Sequence, residues 1–432
     1  MQRRVVITGM GPITSIGIGK EEFWKNSLEG RSGTERIPFD WFKKNPGRFY
    51  SHVCATVKDF NPKNYGLKSR SKTLDRASLF ALAAAYLALQ DAGIDFTAQN
   101  NKAEIKGLDL DQGCVIVSTG IGGFNTVTEE HEHYTLEKKL NPFTVSKLMP
   151  NAPSDNISIM YRIRGESKPV PTACAAGTMG IGEAFRLISS EEYRWILGGG
   201  VESCYGHDGY GFKGFDAIAM DGNRALSTAY NDRPESASRP FEKNRDGFIL
   251  AEGGAVLFVE ELEHALARGA EIYAEITAYK SNSDAHSIMG LDPEAKQLTK
   301  LINDLLKKAE LDPNDIQYIN AHATSTPPND RTETLAIKKA LGNNAYNLVI
   351  GGTKSRVGHS IAGSGAIEIA ETALVIHNGK IPPTINFEEK DPDCDLDYSH
   401  NKITERPIET ALKLTSGFGG HNAGLVIKKY KQ

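Results

Sequence analysis

A cysteine among small residues is the first candidate for chemistry in this sequence. Cys174 lies in the segment P-T-A-C-A-A-G-T, residues 171–178, and directly precedes a helix predicted at 175–190. The positive end of a helix dipole favours a thiolate, so we expect the pKa of this thiol to be lowered. Its small neighbours would let a bulky acyl chain approach the sulfur. The alternative interpretation is a buried structural cysteine.

Two histidines follow predicted strands, at positions where α/β proteins gather ligand-binding groups. His322 lies in N-A-H-A-T-S-T, residues 320–326. His359 closes G-T-K-S-R-V-G-H, residues 352–359, which also contains Lys354. This second segment superficially resembles a phosphate-binding loop but lacks the required glycine spacing. Either histidine could instead be hydrogen-bonded in an ordinary polar loop.

A glycine-dense turn is the fourth candidate. The segment S-G-F-G-G-H-N, residues 416–422, separates two predicted strands and would bring backbone N–H groups close to a ligand. An oxyanion hole requires such groups, but a plain β-hairpin has them too. One cysteine and two histidines on different loops suit acyl transfer, in which the thiolate takes the acyl group and the imidazoles stabilise an enolate or oxyanion.

Alternating strand-like and helical patterns must position these loops, and they predict an α/β protein with mixed, largely buried sheets. Strands are predicted at 5–8, 114–118, 195–198, 255–259, 272–279, 316–320, 348–351, 412–416 and 423–428. Helices are predicted at 76–92, 175–190, 261–268, 294–309, 332–341 and 365–377. The strand pattern restarts near residue 272, which predicts two layered halves, 1–260 with the cysteine and 261–432 with both histidines. No Pro- or Ser-rich linker separates them, so we expect tight packing.

The bulk composition excludes several classes of function. The 432 residues carry a net charge of −4, with 40% hydrophobic and 24% charged residues, as in ordinary globular proteins. No basic domain indicates nucleic-acid binding, and no run of about 18 apolar residues predicts a membrane span. The five cysteines are scattered and lack CxxC spacing, so we expect neither a disulfide framework nor a metal site. These features favour the cytoplasm.

Taken together and in this order, the four motifs resemble those of the β-ketoacyl–acyl carrier protein synthases of the thiolase fold. The resemblance spans nearly the full chain, from V-V-I-T-G-M-G at residues 5–11 to S-G-F-G-G-H-N at 416–422. It implies two similar α/β halves in an αβαβα arrangement. It also implies decarboxylative condensation of malonyl–acyl carrier protein with an acyl chain held on a cysteine, which gives a β-ketoacyl product.

The resemblance implies a role for each matching position. Cys174 matches the nucleophile, and His322 and His359 match the pair that promotes decarboxylation and holds the enolate. Lys354 matches the lysine beside the second histidine, and Glu333 and Glu368 match acidic residues that orient the cluster. Thr324 and Thr326 match threonines that hydrogen-bond the phosphopantetheine arm. Ser416 and Phe418 match the acyl gate, and the N–H groups of Cys174 and Ser416 match the oxyanion hole. No bound cofactor is implied, since the carrier protein supplies phosphopantetheine.

One departure from the fatty-acid enzymes concerns the gate, where Ser416 occupies a position that is usually phenylalanine. A smaller side chain should open the acyl pocket. Segments 215–218, 250–253, 329–333 and 391–398 look like those of the catalytic alpha ketosynthase subunits of type II polyketide synthases. We therefore favour this subunit, paired with a chain-length factor homologue that lacks the cysteine. The alternative is a homodimeric fatty-acid elongating synthase.

The remaining expectations concern partners and competing classes. An acidic carrier protein needs a basic docking patch, for which Lys68, Arg70 and Lys72 are candidates, although an ordinary solvated turn is the simpler explanation. A thiolase that uses coenzyme A would share the fold but usually has a second cysteine where this chain has His359. A non-catalytic pairing subunit would not need Cys174 and both histidines.

Overall fold

The computed structural model describes residues 3–44, 46–67, 73–205 and 215–431. Each predicted strand is present, although the ends differ by several residues from the sequence pattern. The strands are β1 Val5–Thr14, β2 Gly17–Ile18, β3 Glu35–Arg36, β4 Val53–Cys54, β5 Phe96–Gln99, β6 Lys102–Ile105, β7 Gly113–Ser118, β8 Trp195–Glu202, β9 Gly253–Glu261, β10 Ala274–Ser283, β11 Tyr318–Asn320, β12 Val349–Gly351, β13 Lys380–Ile381, β14 Thr404–Glu405, β15 Thr410–Gly417 and β16 His421–Lys428.

The predicted helices are also present, together with several that the sequence pattern does not indicate. They are α1 Lys20–Leu28, α2 Asp40–Lys44, α3 Arg76–Asp91, α4 Phe124–Thr135, α5 Thr144–Leu148, α6 Ala152–Tyr161, α7 Ala176–Ser189, α8 Phe215–Gly222, α9 Leu262–Ala267, α10 Lys296–Lys308, α11 Pro327–Leu341, α12 Lys354–Val357 and α13 Ala362–Asn378. None of these helices, within the described ranges, is both long and apolar enough to span a bilayer.

Ten of the described strands form one mixed sheet. Their order is β12-β11-β15-β16-β10-β1-β9-β8-β7, with β2 paired to β1. β7 and β8 run parallel, and β11 runs parallel to both β12 and β15, whereas β1, β9, β10 and β16 make antiparallel pairs. Strands from the first part of the chain occupy one end and later strands the other, and they meet where Val5 of β1 pairs with Ile276 of β10. The predicted mixed α/β architecture is confirmed.

Two glycine-rich helices cross at the centre of the molecule. A Cβ on Gly177 of α7 would lie 2.4 Å from the Ala362 carbonyl oxygen, and one on Gly365 of α13 would lie 2.3 Å from Thr178 Oγ1. Real side chains do not tolerate such distances, so glycine is what allows α7 and α13 to approach this closely. The crossing brings the start of α7 and the start of α13 together.

Helix α11 begins at Pro327, before the predicted start at residue 332. Prolines occupy its first positions, where a missing N–H is no loss and a fixed φ suits the helix. The apolar period that predicts a helix begins only later. The longer α11 carries Glu333 in its interior and not at its first turn.

Residues 124–161 contain α4, α5 and α6, which the sequence pattern does not predict. In α4 and α5 most large apolar side chains are exposed, so the usual helical period is lost, whereas α6 buries Ile157, Met160 and Tyr161 on one face. We call the exposed set the apolar band; its members are Val127, Tyr134, Leu136, Leu140, Phe143, Val145 and Ile159.

Candidate active site

Cys174 lies at the start of the central helix α7, as predicted. It sits in the 3₁₀ turn Ala173–Ala175, which runs directly into α7, and it is 5% exposed. Burial raises the pKa of the Cys174 thiol to about 11, although the Lys354 ammonium and the Phe418 N–H lower it. The predicted lowering of this pKa is therefore wrong, because desolvation of a thiolate outweighs the favourable helix terminus. The thiol is protonated at neutral pH.

His359 contacts the cysteine sulfur directly. Its Nε2 lies 3.1 Å from Cys174 Sγ, and its Nδ1 lies 2.9 Å from Ser364 Oγ on helix α13. Ser364 Oγ also accepts the Ser360 N–H at 3.0 Å. A hydroxyl can donate to an imidazole nitrogen or accept from it, so Ser364 is compatible with either tautomer of His359. Ser364 is absent from the predicted site, because a serine inside a helix gives no signal for an imidazole that lies before it.

His322 faces His359 across the site. The two rings have centroids 5.4 Å apart and planes nearly perpendicular, at 88°. Lys354 Nζ lies 3.3 Å from His322 Nδ1 and donates to the His322 carbonyl at 2.7 Å. Because an ammonium only donates, Nδ1 must accept and the ring proton resides on Nε2. Burial, and then the Lys354 charge, hold the pKa of both histidines well below the usual range, so both rings are neutral.

Glu333 supports the loop that carries His322. From helix α11, its carboxylate accepts the His322 N–H at 2.6 Å and the Ala323 N–H at 2.9 Å. Ala323 has a φ of 47° and Ser325 one of 69°, which are left-handed conformations that need such outside support. Burial raises the pKa of Glu333 to about 7, although the two N–H bonds lower it. Glu333 therefore changes charge near neutral pH.

Glu368 joins the cluster from helix α13. One of its carboxylate oxygens contacts the Lys354 ammonium, and the other forms an ion pair of 2.7 Å with Lys413 Nζ. All three side chains are buried. Lys354 and Glu368 thus lie together as predicted, whereas Lys413 is absent from the predicted site. A signal for it exists, since a lysine within the otherwise apolar strand segment 410–414 needs a buried counter-charge.

The glycine turn between β15 and β16 lies against the cysteine. A Cβ on Gly417 would be 3.3 Å from the Cys174 backbone nitrogen, so the turn and the start of α7 are in van der Waals contact. Ser416 Oγ donates to Asn422 Oδ1 at 2.7 Å, and Asn422 Nδ2 donates to Asp284 Oδ1 at 2.6 Å. The predicted hairpin is confirmed. The gate position therefore holds a small side chain that is bonded within its own hairpin.

A cavity of about 300 Å³ lies over the thiol. The hydroxyls of Thr324 and Thr326 lie 2.8 Å apart at its wall. Ile361 also lines it, with a φ of 44° that costs a β-branched residue of the order of 1–3 kcal/mol. The structure thus brings most of the predicted site residues to this one cavity: Cys174, His322, His359, Thr324, Thr326, Ser416 and Phe418.

The predicted carrier-protein patch cannot be placed with them. Lys68, Arg70 and Lys72 lie outside the described residues. The reactive atoms of Cys174, His322 and His359 lie within 4.8 Å of one another. Apart from that trio, the described residues contain no group of three or more His, Cys, Asp or Glu side chains that is close enough together to hold a metal ion.

A buried thiol beside two neutral imidazoles, with backbone N–H groups converging on the sulfur, is suited to covalent acyl transfer. The layered fold and this site define a cysteine-dependent acyltransferase. Residues 2–265 match the family described as "Beta-ketoacyl synthase, N-terminal domain", and residues 273–388 match "Beta-ketoacyl synthase, C-terminal domain". The chain belongs to the β-ketoacyl synthase family, which has the thiolase fold and forms carbon–carbon bonds.

Known proteins of two kinds are similar to this chain. A 3-oxoacyl-[acyl-carrier-protein] synthase 2 from Synechocystis sp. is 40% identical over 433 positions, covering 100% of this chain and 99% of the relative. Two solved structures have TM-scores of 0.86 and cover 100% of both chains. One, 31% identical, is a type II polyketide synthase acyl carrier protein in complex with its ketosynthase bound to the hexaketide. The other, 30% identical, is the ishigamide ketosynthase/chain length factor.

Proposed function

We propose that this enzyme elongates fatty acyl chains by condensing them with malonyl–acyl carrier protein. The observation that carries this proposal is the 3.1 Å contact of His359 with the Cys174 thiol, with His322 facing the same cavity. Relatives named 3-oxoacyl-[acyl-carrier-protein] synthase 2 favour fatty-acid elongation over the polyketide function that the sequence motifs favour. The polyketide alpha subunit therefore becomes the second candidate.

The first step is transfer of an acyl group to Cys174. Because the thiol is protonated, a base must take its proton as the sulfur attacks the carrier thioester carbonyl, and His359 Nε2 is in contact to do so. The bond from the carbonyl carbon to the pantetheine sulfur then breaks. The departing sulfur takes the proton from His359, so this step neither gains nor loses protons.

The second step is decarboxylation of the malonyl thioester. The Nε2–H groups of His322 and His359 would donate to the thioester oxygen as the bond to the carboxylate breaks, so that the electron pair is held as an enolate and CO₂ leaves. His359 must then carry its proton on Nε2. Ser364 permits this when its hydroxyl donates to Nδ1.

The third step forms the carbon–carbon bond. The enolate carbon attacks the acyl carbonyl on Cys174, and the resulting oxyanion is held by the N–H groups of Cys174 and Phe418, the two backbone donors that act on the sulfur. The carbon–sulfur bond breaks, and the sulfur regains a proton from solvent through His359. The step releases a β-ketoacyl thioester, and the proton taken up by the sulfur is the one proton consumed in the whole cycle.

The carrier protein supplies the only prosthetic group in this proposal. Its phosphopantetheine arm would pass Thr324 and Thr326, whose hydroxyls line the cavity. No resident cofactor or metal is needed for any of the three steps. The docking patch at Lys68, Arg70 and Lys72 remains a prediction, as does the cytoplasmic location.

A second copy of the chain would cover the apolar band on α4–α6. Exposed apolar residues scattered singly are normal, but half of the large exposed apolar side chains in the described residues fall within 127–159, and such a concentration is typical of an interaction surface. The band lies just beyond the Gly120–Gly123 loop, where Gly120 approaches both Ile361 and Ala173 beside the thiol. In the fatty-acid proposal the partner is an identical chain, and in the polyketide proposal it is a chain-length factor homologue without the cysteine.

The polyketide alternative rests on one specific observation. Ser416, at the gate, is small and bonded to Asn422, so no aromatic ring at this position separates the thiol from the cavity. An open gate suits a bulky, unreduced intermediate. The solved ketosynthases with which this chain shares its fold support this alternative as well.

Assaying the chain purified alone distinguishes the two candidates. We expect it to elongate a saturated acyl–carrier protein with malonyl–carrier protein, to run as a homodimer on calibrated light scattering, and to restore growth to a strain that lacks its elongating synthase. Cys174→Ala is the inactive control. Condensation that requires a co-expressed homologue without the cysteine would overturn the fatty-acid proposal in favour of the polyketide one.

A further inference from the structure

Lys413 is a buried cation that none of the proposed steps uses. It lies on β15, three residues before Ser416, and it is 0% exposed. Its register partners on the flanking strands are Asn320 and Leu425, neither of which is charged. A lysine is almost never fully buried unless it is paired. Its counter-charge must therefore come from the helices packed on the sheet.

The contacts of Lys413 lead directly into the catalytic cluster. Its ammonium forms an ion pair of 2.7 Å with one Glu368 oxygen and donates to the Leu414 carbonyl. The other Glu368 oxygen contacts Lys354, which reaches His322. One carboxylate thus bridges two ammonium groups, and only one of these touches an imidazole.

Above pH 7, where Glu333 is charged, the charges around Lys413 balance. The charged groups that act on it are Glu368 of α13, Lys354 of α12 and Glu333 of α11. Two carboxylates thus stand against two ammonium groups, beside two neutral imidazoles. Burial lowers the pKa of Lys413, but both carboxylates oppose this. In turn, the Lys413 charge helps to lower the pKa of His322 and of His359.

Removing Lys413 would leave two buried carboxylates with one ammonium. Excess negative charge in a low-dielectric site favours uptake of a proton, either on Glu333 or on an imidazole. A protonated Glu333 would hold the two N–H groups of the His322 loop less strongly. Protonation of His322 or His359 would instead give a charged imidazolium in a site where both rings are otherwise neutral.

We propose that Lys413 is a positioning residue for the condensation, the counter-ion that balances the buried carboxylates of Glu368 and Glu333 so that both histidines stay neutral. It reaches no substrate and acts only through Glu368, Lys354 and Glu333. The inference rests on the proposed roles of the histidines in decarboxylation. It adds to them a reason for the buried lysine in β15.

The test is the pH dependence of malonyl–carrier protein decarboxylation, measured as CO₂ release by Lys413→Met. Without this cation, protons bind more readily, so the deprotonated active form needs a higher pH. We expect the acidic limb of the rate profile to move up by about one pH unit, which is roughly tenfold in rate on the limb. Near pH 9 we expect the rate to stay within about threefold of the wild type.

Two further variants separate this role from a structural one. Lys413→Met combined with Glu333→Gln restores the charge balance. The acidic limb of the pH–rate profile should therefore return to the wild-type pH or below it, even if the maximal rate is lower. Lys20→Met is the matched control, because it removes an ammonium bonded to Asp91 and Tyr273 far from the cavity, and it should leave the limb in place. If Lys413→Met does not fold, Lys413→Gln should show the same shift.

An unchanged limb in folded Lys413→Met or Lys413→Gln, with an active wild type, would overturn this inference and leave the proposed function intact. The inference would also be overturned if the losses in decarboxylation rate were additive in the double variant and its acidic limb were still displaced. A wild-type enzyme that cannot decarboxylate malonyl–carrier protein would overturn the proposed function and this inference with it.

Discussion

The two histidines of the site serve one cavity but are held in opposite ways. His322 is surrounded by charge, with the Lys354 ammonium at its Nδ1 and the Glu333 carboxylate on its backbone N–H. His359 is held by neutral groups, the Ser364 hydroxyl at Nδ1 and the edge of the Phe248 ring. Only His359 is in hydrogen-bonding distance of the Cys174 sulfur.

The contrast in hydrogen-bond partners explains how two similar imidazole rings can serve different chemical functions. An ammonium at Nδ1 permits one tautomer, so His322 always presents an Nε2–H. A hydroxyl at Nδ1 permits both, so His359 can accept the thiol proton in acylation and later donate a hydrogen bond from Nε2–H to the enolate oxygen. On this account His322 is a fixed donor and His359 is a proton shuttle.

The largest effect should come from removing each imidazole in turn. We expect His322→Ala and His359→Ala both to slow decarboxylation by about 10²–10³-fold, since each loses a donor to the enolate oxygen. Only His359→Ala should also slow acylation of Cys174 by about 10²-fold or more, since only it loses the base. Intact-protein mass spectrometry of single-turnover acylation, beside CO₂ release, measures both. Equal effects of the two variants on acylation would contradict the division of roles.

Alkylation of the thiol tests the electrostatic side of the comparison. Because burial raises the pKa of Cys174 to about 11, the thiolate fraction should grow about tenfold per pH unit across the neutral range. We expect the rate of iodoacetamide labelling of Cys174 to rise about 100-fold from pH 7 to pH 9 without a plateau. The Cys174→Ala variant corrects for labelling elsewhere. A labelling rate that levels off below pH 8 would show a lowered pKa of Cys174, as predicted from its position at the helix terminus.

The smallest effect should come from the hydroxyl that supports His359. Ser364→Ala removes the partner of Nδ1, so the tautomer with a proton on Nε2 loses its hydrogen bond, worth about 0.5–1.5 kcal/mol or up to about tenfold in rate. Decarboxylation should fall by that amount. Ser189→Ala is the control, because it removes a buried hydroxyl at the opposite end of α7 from Cys174. If Ser364→Ala decarboxylated malonyl–carrier protein at the wild-type rate, the Ser364 hydroxyl would have no role in supporting His359.

Much of this architecture could be predicted from sequence, because the chemistry lies on loops that follow recognisable strands. Apolar runs located β11 and β12, so His322 and Lys354 could be assigned to the same sheet edge without a structure. The small residues around Cys174 indicated room for an acyl chain, whereas in the structure Gly177 also allows the close crossing of α7 and α13. These signals are local, and local patterns determine where an element begins and what its loop contains.

The rest depends on what lies around a residue in three dimensions. The helix terminus predicted a thiolate at Cys174, but the extent of burial, which reverses the shift, comes from residues far along the chain. Lys413 acts on Glu368, which lies in a different element 45 residues earlier in the chain. Helices α4 and α5 were missed because most of their large apolar side chains are exposed, so that no buried face marks a helical period. Helix α6 does bury one face, with Ile157, Met160 and Tyr161, so the sequence carries a helical signal for it.

The central claim, that Cys174 carries the acyl chain and His359 relays its proton, is tested most directly by trapping the intermediate. Purified enzyme is mixed with acyl–carrier protein and examined by intact-protein and peptide mass spectrometry, and malonyl–carrier protein is then added. We expect one acyl group on the Cys174 peptide, which disappears as β-ketoacyl–carrier protein forms, and no acyl group on Cys174→Ala. An acyl group on another residue, or condensation by Cys174→Ala, would contradict it.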